Sequence, residues 1–176
     1  MIHHSEFLFL LANVLPARDI YVELGVQLGV THQRLAPLFA RAIGVDIADC
    51  RAYCREFYQR TTDDFFSKHL ASLAADSVDL IFIDANHERQ QVLRDFLNSL
   101  FLVKPMTGLI VIHDTYPGAE SFLNPDQCDN AWMAAKDIRK HNAVVESVTI
   151  PGVMHGLTVC RKLGNGGRHL HWKEGS

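Results

Sequence analysis

Short apolar runs rich in β-branched residues recur along the chain, and segments with helical patterning separate most of them. Strands are predicted at residues 20–24, 42–47, 78–83, 108–112, 143–150 and 157–160, with a weaker strand near 56–60. Helices are predicted at residues 7–15, 31–41, 63–74, 88–102 and about 129–140. Buried strands that alternate with helices form a parallel sheet. Only residues 151–156 join the last two strands, so we expect a hairpin there. The predicted fold is therefore α/β, a single doubly wound, mostly parallel sheet with a C-terminal antiparallel strand.

Composition narrows the class of protein further. The 176 residues suit one domain, which we place at 1–163, followed by a glycine- and histidine-rich flexible tail at 164–176. The net charge of -3 argues against a nucleic-acid binder with a broad basic face. The apolar segment 7–15 is too short to span a membrane and has no basic residues before it, so no membrane association is expected. Four cysteines without a C-x-x-C pair favour a reducing, cytoplasmic location.

A glycine loop joins the first strand to the first helix of the alternating region. It reads Tyr21-Val-Glu-Leu-Gly-Val-Gln-Leu-Gly29, and Asp46 ends the next apolar run about 20 residues further on. Glycines let a backbone approach a ligand closely, and a distal acid can bind ribose hydroxyls. The loop lacks the G-x-G-x-x-G of dinucleotide binders, and no G-x-x-x-x-G-K-[ST] is present. These features favour a nucleoside ligand without a phosphate chain.

Polar residues follow each of the first five predicted strands, where ligands bind in sheets of this type. They are Glu23 with the glycine loop, Asp46, the cluster 61–64, the segment 84–87, and the segment 113–115. Each has a simpler interpretation: Thr62 or Asp63 could cap a helix, and Glu23 could be a solvent-facing strand end. The coincidence across five strand ends nevertheless predicts a binding site on this edge.

The same segments resemble the class I S-adenosylmethionine-dependent methyltransferases, which have a Rossmann-like fold. The resemblance rests on Val22-Glu-Leu-Gly with Gly29, Gly44-Val-Asp-Ile47, the segments 78–87, 92–96 and 102–105, and Gly108-Leu-Ile-Val-Ile-His-Asp-Thr115. It is greatest for the small group that carries I-D-x-x-H followed by H-D-T. The sequence departs from the family at residues 105–108, where Pro-Met-Thr-Gly replaces the usual Pro-Gly-Gly, and in lacking the insertions that form a substrate lid.

The resemblance implies roles for particular residues. Gly25 and Gly29 would shape the loop under the methionine part of S-adenosylmethionine, with Glu23 near its amino group. Asp46 would bind the ribose hydroxyls. Asp63 would lie near the adenine and Asp84 beside the sulfonium. His87 would face the methyl acceptor as general base, with His113 as the rival base.

In several members of the family, acids at the positions of Asp84 and Asp114 also hold a divalent cation such as Mg²⁺. Two carboxylates at adjacent strand ends suit a hard cation. Alternatively, Asp114 only hydrogen-bonds the start of the next loop.

Three functions remain open from the sequence. The first is methyl transfer to oxygen or nitrogen of a small-molecule or sugar-like acceptor. The second is a non-catalytic domain that binds the cofactor or a partner. The third, a nicotinamide-dependent oxidoreductase, is disfavoured by the absence of G-x-G-x-x-G and of a Tyr-x-x-x-Lys pair. A homodimer could supply the missing cover over the site.

Overall fold

The computed structural model describes residues 2–69, 72–125, 127–141 and 143–164. The strands described are β1 (Ile20–Leu24), β2 (Arg41–Asp46), β3 (Glu56–Gln59), β4 (Leu80–Ile83), β5 (Leu109–His113), β6 (Val145–Ile150) and β7 (Leu157–Lys162). They form one seven-stranded sheet with the order β3-β2-β1-β4-β5-β7-β6. All pairings from β3 to β5 are parallel, whereas β7 is antiparallel to both β5 and β6. The predicted mostly parallel sheet with a C-terminal antiparallel strand is confirmed.

Helices cover both faces of the sheet. They are α1 (His4–Asn13), α2 (Val30–Leu35), α3 (Thr62–His69), α4 (Arg89–Leu102) and α5 (Ala131–Arg139). On one face, α3, α4 and α5 pack over alternate strand residues such as Val22, Ile81 and Ile110. On the other face, α1 and α2 cover the intervening residues, including Tyr21 and Phe82. Burial on both faces explains why the strands lack polar alternation.

Several predicted boundaries differ from the structure. The helix predicted at 31–41 is α2 followed by a 3₁₀ turn at Ala36–Leu38, and β2 already begins at Arg41. Pro37 explains the early end, because a proline ring clashes with the preceding helical turn and has no N–H to donate. The first helix also begins earlier than predicted, at His4, where the side chain of His3 accepts a hydrogen bond from the N–H of Ser5. Helix α3 ends at His69 and not at 74.

Two further observations bear on the sequence predictions. Within the described residues, no helix is long and apolar enough to cross a membrane. Residues 165–176, which hold most of the predicted tail, lie outside the described residues.

Candidate functional site

An open cleft of about 900 Å³ lies at the carboxyl ends of the central parallel strands. Its lining includes Gly25, Asp46, Asp63, Asp84 and His87, which are five of the residues predicted from the sequence. In the sheet, β1 lies between β2 and β4, so the segments that follow these three strands lie next to one another. Carboxyl ends of parallel strands meet at one edge, which is where ligands bind in such sheets.

Gly25 allows the closest backbone approach in the cleft. Its φ is +90°, and a Cβ there would lie 2.1 Å from the carbonyl oxygen of Asp84. No side chain fits at that distance, so glycine is required both by conformation and by space. The loop backbone thereby lies directly against the start of the segment after β4.

Asp46 holds the glycine loop in place. Its Oδ2 accepts hydrogen bonds from the backbone N–H groups of Val26 (2.8 Å) and Gln27 (2.9 Å). Its Oδ1 accepts a third from the N–H of Ala48 at 2.8 Å. Each carboxylate oxygen has two lone pairs, so Oδ1 can still accept one hydrogen bond from a hydroxyl group in the cleft. Asp46 therefore shapes the cleft as well as lining it.

Two of the predicted cofactor residues do not line the cleft. Glu23 is only 1% exposed, and its Oε2 accepts hydrogen bonds from the hydroxyl of Tyr21 at 2.8 Å and lies 3.0 Å from Nδ1 of His32. Burial raises the pKa of Glu23, although the contact with His32 partly opposes this. Gly29 adopts φ +70° at the start of α2, where a Cβ would clash with Tyr53. Glu23 thus contacts side chains of β1 and α2, and Gly29 lies at the junction between the loop and α2.

Asp63 lies on the first turn of α3, at the rim of the cleft. Its Oδ1 accepts a hydrogen bond from Nε2 of Gln91 at 3.1 Å. The same Gln91 amide donates to Thr62 and to Asp95, which is buried beneath the cleft in α4. Gln91 was not among the residues predicted from the sequence, because it lies in the first turn of α4 and does not directly follow a strand.

A cluster of two carboxylates and two histidines forms where β4 and β5 end. Because Ile83 pairs with Ile112, Asp84 and His113 lie side by side, and His113 Nδ1 is 3.0 Å from Oδ1 of Asp84. The same nitrogen is 3.2 Å from Oδ2 of Asp114, which has φ +57°. Such a backbone conformation costs free energy in a non-glycine residue, and it is often retained at functional sites.

His113 carries a positive charge in this cluster. Its Nε2 lies 2.9 Å from the carbonyl oxygen of Met154, which can only accept, so that nitrogen is protonated. Its Nδ1 faces the two carboxylates and is protonated as well. Burial disfavours the charged ring, but the charges of Asp84 and Asp114 outweigh it and raise the pKa of His113 to about 10. His113 is thus a charge partner, and this role was not predicted.

The pKa of Asp84 is lowered, whereas that of His113 is raised. Burial would raise it, but the charge of His113 and the hydrogen bond from its ring hold the pKa of Asp84 well below the ordinary value. Asp84 is therefore ionised at neutral pH. His4 of α1 packs edge-on against His113 with ring centroids 4.3 Å apart, and burial beside this charge lowers the pKa of His4 to about 4.

His87 reaches the cluster from the opposite side. Its Nδ1 donates to the carbonyl oxygen of Gln127. Its Nε2 is 3.1 Å from Oδ2 of Asp114 and 3.5 Å from Oδ1 of Asp84. That nitrogen is buried and makes no well-oriented hydrogen bond with any described residue. Burial alone would lower the pKa of His87, but the two carboxylates raise it.

Asp84, His87 and Asp114 together could hold a metal ion. One ligand atom from each lies within 4.8 Å of the others. The predicted pair of carboxylate ligands thus gains a third candidate, an imidazole nitrogen, from the loop that precedes α4. Two carboxylate oxygens and one imidazole nitrogen suit Mn²⁺ and are tolerated by Mg²⁺.

Comparison with solved structures places this architecture among methyltransferases. An rRNA methylase from Streptococcus thermophilus matches with TM-score 0.63 and 13% identity, over 91% of this chain and 95% of that one. The N-methyltransferase NodS from Bradyrhizobium japonicum matches with TM-score 0.60 and 18% identity, over 91% and 94% of the two chains. MycE from the mycinamycin biosynthetic pathway, solved with Mg and SAH, matches with TM-score 0.61 and 16% identity over 91% of this chain and 48% of its own.

Because these identities are low, the solved structures establish the fold alone. No sequence among the curated proteins matches the chain significantly. A family model described as a methyltransferase domain matches residues 22–115, more than half of the chain, from β1 to the end of the charged cluster. The chain therefore belongs to the methyltransferase domain family, and it is an S-adenosylmethionine-dependent methyltransferase.

Proposed function

We propose that the protein methylates a hydroxyl group of a small-molecule acceptor, with a divalent cation bound by Asp84, His87 and Asp114. S-adenosylmethionine would bind in the cleft along Gly25, with Asp46 at the ribose, Asp63 near the adenine and Asp84 towards the sulfonium. The predicted roles of Glu23 and Gly29 become indirect in this proposal, because neither residue lines the cleft.

The observation that carries the proposal is the orientation of His87. Since Nδ1 must donate to the carbonyl of Gln127, a neutral ring presents the lone pair of Nε2 to the carboxylates of Asp84 and Asp114. Lone pairs of three such groups repel one another unless a positive charge lies between them. That charge is either a proton on His87 or a metal cation.

Charge balance favours an oxygen acceptor. Two carboxylates and the imidazolium of His113 leave one net negative charge in the cluster. A divalent cation would supply the positive charge that lowers the pKa of an acceptor hydroxyl near the site. Adding a divalent cation and an ionised hydroxyl to one net negative charge gives zero. The protein's residues would thus stabilise the deprotonated acceptor that must attack the methyl group in line with the sulfonium.

The role predicted for His87 as general base is the alternative within the same site. In that case His87 must lose the Nε2 proton that the two carboxylates stabilise before it can accept one from the acceptor. A metal-bound His87 cannot serve as the base. The two roles are therefore exclusive, and metal binding by the protein alone distinguishes them.

The acceptor class rests on charge. An overall charge of -3 and a cleft lined by five carboxylates are unfavourable to a polyanionic nucleic acid; they are Asp46, Asp63, Asp84, Glu88 and Asp129. The similarity to an rRNA methylase concerns the fold, and we propose a small neutral or cationic acceptor here. Transfer to a nitrogen acceptor is the alternative, and the acceptor panel in the second experiment tests it.

The first experiment titrates the protein with Mn²⁺ by calorimetry, with and without S-adenosylhomocysteine. We expect binding of one Mn²⁺, lost in Asp114→Asn and in His87→Ala and retained in the control Asp49→Asn, whose side chain pairs with Arg51 on the surface. S-adenosylhomocysteine should bind all four proteins. Mn²⁺ binding by His87→Ala with wild-type affinity would remove His87 from the metal site and restore it as the candidate base.

The second experiment measures methyl transfer from labelled S-adenosylmethionine to a panel of hydroxylated and amino acceptors. We expect transfer to a hydroxyl that falls at least tenfold with EDTA and returns with Mn²⁺ or Mg²⁺. Transfer insensitive to EDTA would contradict the metal-assisted proposal. Cofactor binding without transfer to any member of the panel would favour the non-catalytic alternative.

A further inference from the structure

A second cavity, of about 740 Å³, lies between α5 and the edge strand β6. One wall is a stripe of α5 in which Trp132, Ala135, Lys136 and Arg139 follow each other at helical spacing. The opposite wall is formed by residues 147–149 of β6, and the segment after β5 closes one end. We call this cavity the α5–β6 groove. It shares no lining residue with the cleft that holds the predicted cofactor site.

The groove is positively charged in a protein that is negative overall. Lys136 and Arg139 line it, and its lining contains no aspartate or glutamate. Neither cation forms an ion pair with any carboxylate in the parts of the chain that the structure describes. Asp137, between them in sequence, instead pairs with Arg89 and Lys140. Electrostatics in the groove therefore favours an anion.

One of the two cations is held in position by a chain of hydroxyl groups. Arg139 Nη2 donates to Oγ1 of Thr149 at 2.8 Å. That oxygen is 2.9 Å from Oγ1 of Thr158, which is fully buried and donates to Oγ1 of Thr115 at 2.8 Å. This hydrogen bond to a threonine held by its neighbours restrains the guanidinium, and a restrained cation loses less conformational entropy on binding.

Aromatic and aliphatic side chains line much of the remaining groove. Lys136 Nζ lies 4.3 Å from the ring centroid of Trp132, and the indole Nε1 is buried without a hydrogen-bond partner among the described residues. Val148 and Tyr116 are exposed by 57% and 54%, respectively, although both border this cavity. Aromatic and aliphatic walls beside cations suit a planar ring that carries an acidic group.

We propose that the α5–β6 groove binds a small planar aromatic carboxylate, with the carboxylate between Lys136 and Arg139 and the ring against Trp132 and Val148. This inference does not depend on the identity of the methyl acceptor. Thr115, which borders the groove, directly follows Asp114 in the charged cluster, so a ligand there would contact the segment that carries a residue of the methyl-transfer site.

The test uses 2-naphthoate and its uncharged analogue 2-naphthamide, titrated by calorimetry into the full-length protein saturated with S-adenosylhomocysteine. We expect one molecule of naphthoate to bind at least about tenfold more tightly than the amide, because a charge-assisted contact is lost in the amide. Lys136→Met should weaken naphthoate binding about tenfold. Lys140→Met is the matched control, since Lys140 lies one turn away outside the groove, and it should bind as wild type.

Several results would overturn the proposal. These are no naphthoate binding up to millimolar concentration, equal affinity for the amide, or equal effects of the two lysine substitutions. Competition between naphthoate and S-adenosylhomocysteine would place the ligand in the cleft. A dimer in solution that Val148→Glu converts to monomers would identify the groove as an interface between two copies of the chain.

Discussion

Asp95 provides a direct test of the electrostatics next to Gln91, which lines the cleft. It is fully buried in α4, its Oδ1 accepts from Nε2 of Gln91 at 3.0 Å, and its Oδ2 has no hydrogen-bond partner among the described residues. Burial raises the pKa of Asp95 to about 6, and hydrogen bonds from Thr62 and Gln91 only partly oppose this. Ionised Asp95 is therefore less favourable in the folded protein than in the unfolded chain.

The size of the effect follows from linkage. The difference between a pKa of about 6 in the folded protein and 3.8 in an exposed carboxyl corresponds to about 3 kcal/mol, at about 1.36 kcal/mol per unit of pKa. Since the folded-state pKa is raised, the associated stability is fully present below 3.8 and is lost as the pH rises through 6. About 1.4 kcal/mol of this loss falls between about pH 5 and pH 8.

Asp95→Asn removes the ionisation and keeps the shape of the side chain. We expect the free energy of unfolding of the variant, relative to wild type, to increase by about 1.4 kcal/mol between about pH 5 and pH 8. Urea denaturation followed by circular dichroism at several pH values measures it. The control Asp64→Asn changes an exposed carboxyl on α3 and should stay within about 0.5 kcal/mol of wild type at each pH. A constant difference between Asp95→Asn and wild type across this range would refute the reasoning.

Three further substitutions test the cleft and the turn at Met106. Asp46→Asn should weaken S-adenosylhomocysteine binding by about 1.5–3 kcal/mol in calorimetry, because it removes the charge and one acceptor oxygen from the proposed ribose site; unchanged affinity would contradict that assignment. Gly25→Ala should reduce the free energy of unfolding by roughly 1–3 kcal/mol and weaken cofactor binding, since its Cβ would lie 2.1 Å from the carbonyl oxygen of Asp84; Gly118→Ala, with nothing within 4 Å, is the control. Met106→Gly should raise stability by roughly 0.5–1 kcal/mol, or roughly 1–4 °C in thermal denaturation, because Met106 has φ +65° and its side chain is half exposed; a lower melting temperature would show that the side chain contributes more than the backbone conformation costs.

The fold was predictable because it rests on local patterns. Apolar runs that alternate with helices define the parallel sheet, and even the short edge strand Glu56–Gln59 was recognised from its sequence. The strand-end acids Asp46 and Asp84 were also found, because the carboxyl ends of parallel strands must meet at one edge. Helix ends were predicted less well. Helix α2 ends early because the segment with Pro37 forms a 3₁₀ turn, which the apolar pattern did not indicate.

Side-chain direction was the part that sequence could not supply. Glu23 was expected at the cofactor, but strand alternation turns it to the face of the sheet that carries Tyr21, where His32 of α2 meets it. That partner is known only once α2 packs on β1. The charge state of His113 likewise depends on the β4–β5 register, which sets its nitrogen 3.0 Å from Asp84.

The sequence by itself therefore determined the sheet, the order of its elements and the set of acids at its edge, since periodicity and strand polarity act over short stretches of chain. Only the tertiary structure decided which of these acids lie against a histidine, because residues 29 positions apart in sequence, such as Asp84 and His113, become neighbours through strand pairing. The α5–β6 groove has the same origin: its cations lie on a helix and its hydroxyl groups on strands that only long-range packing brings together.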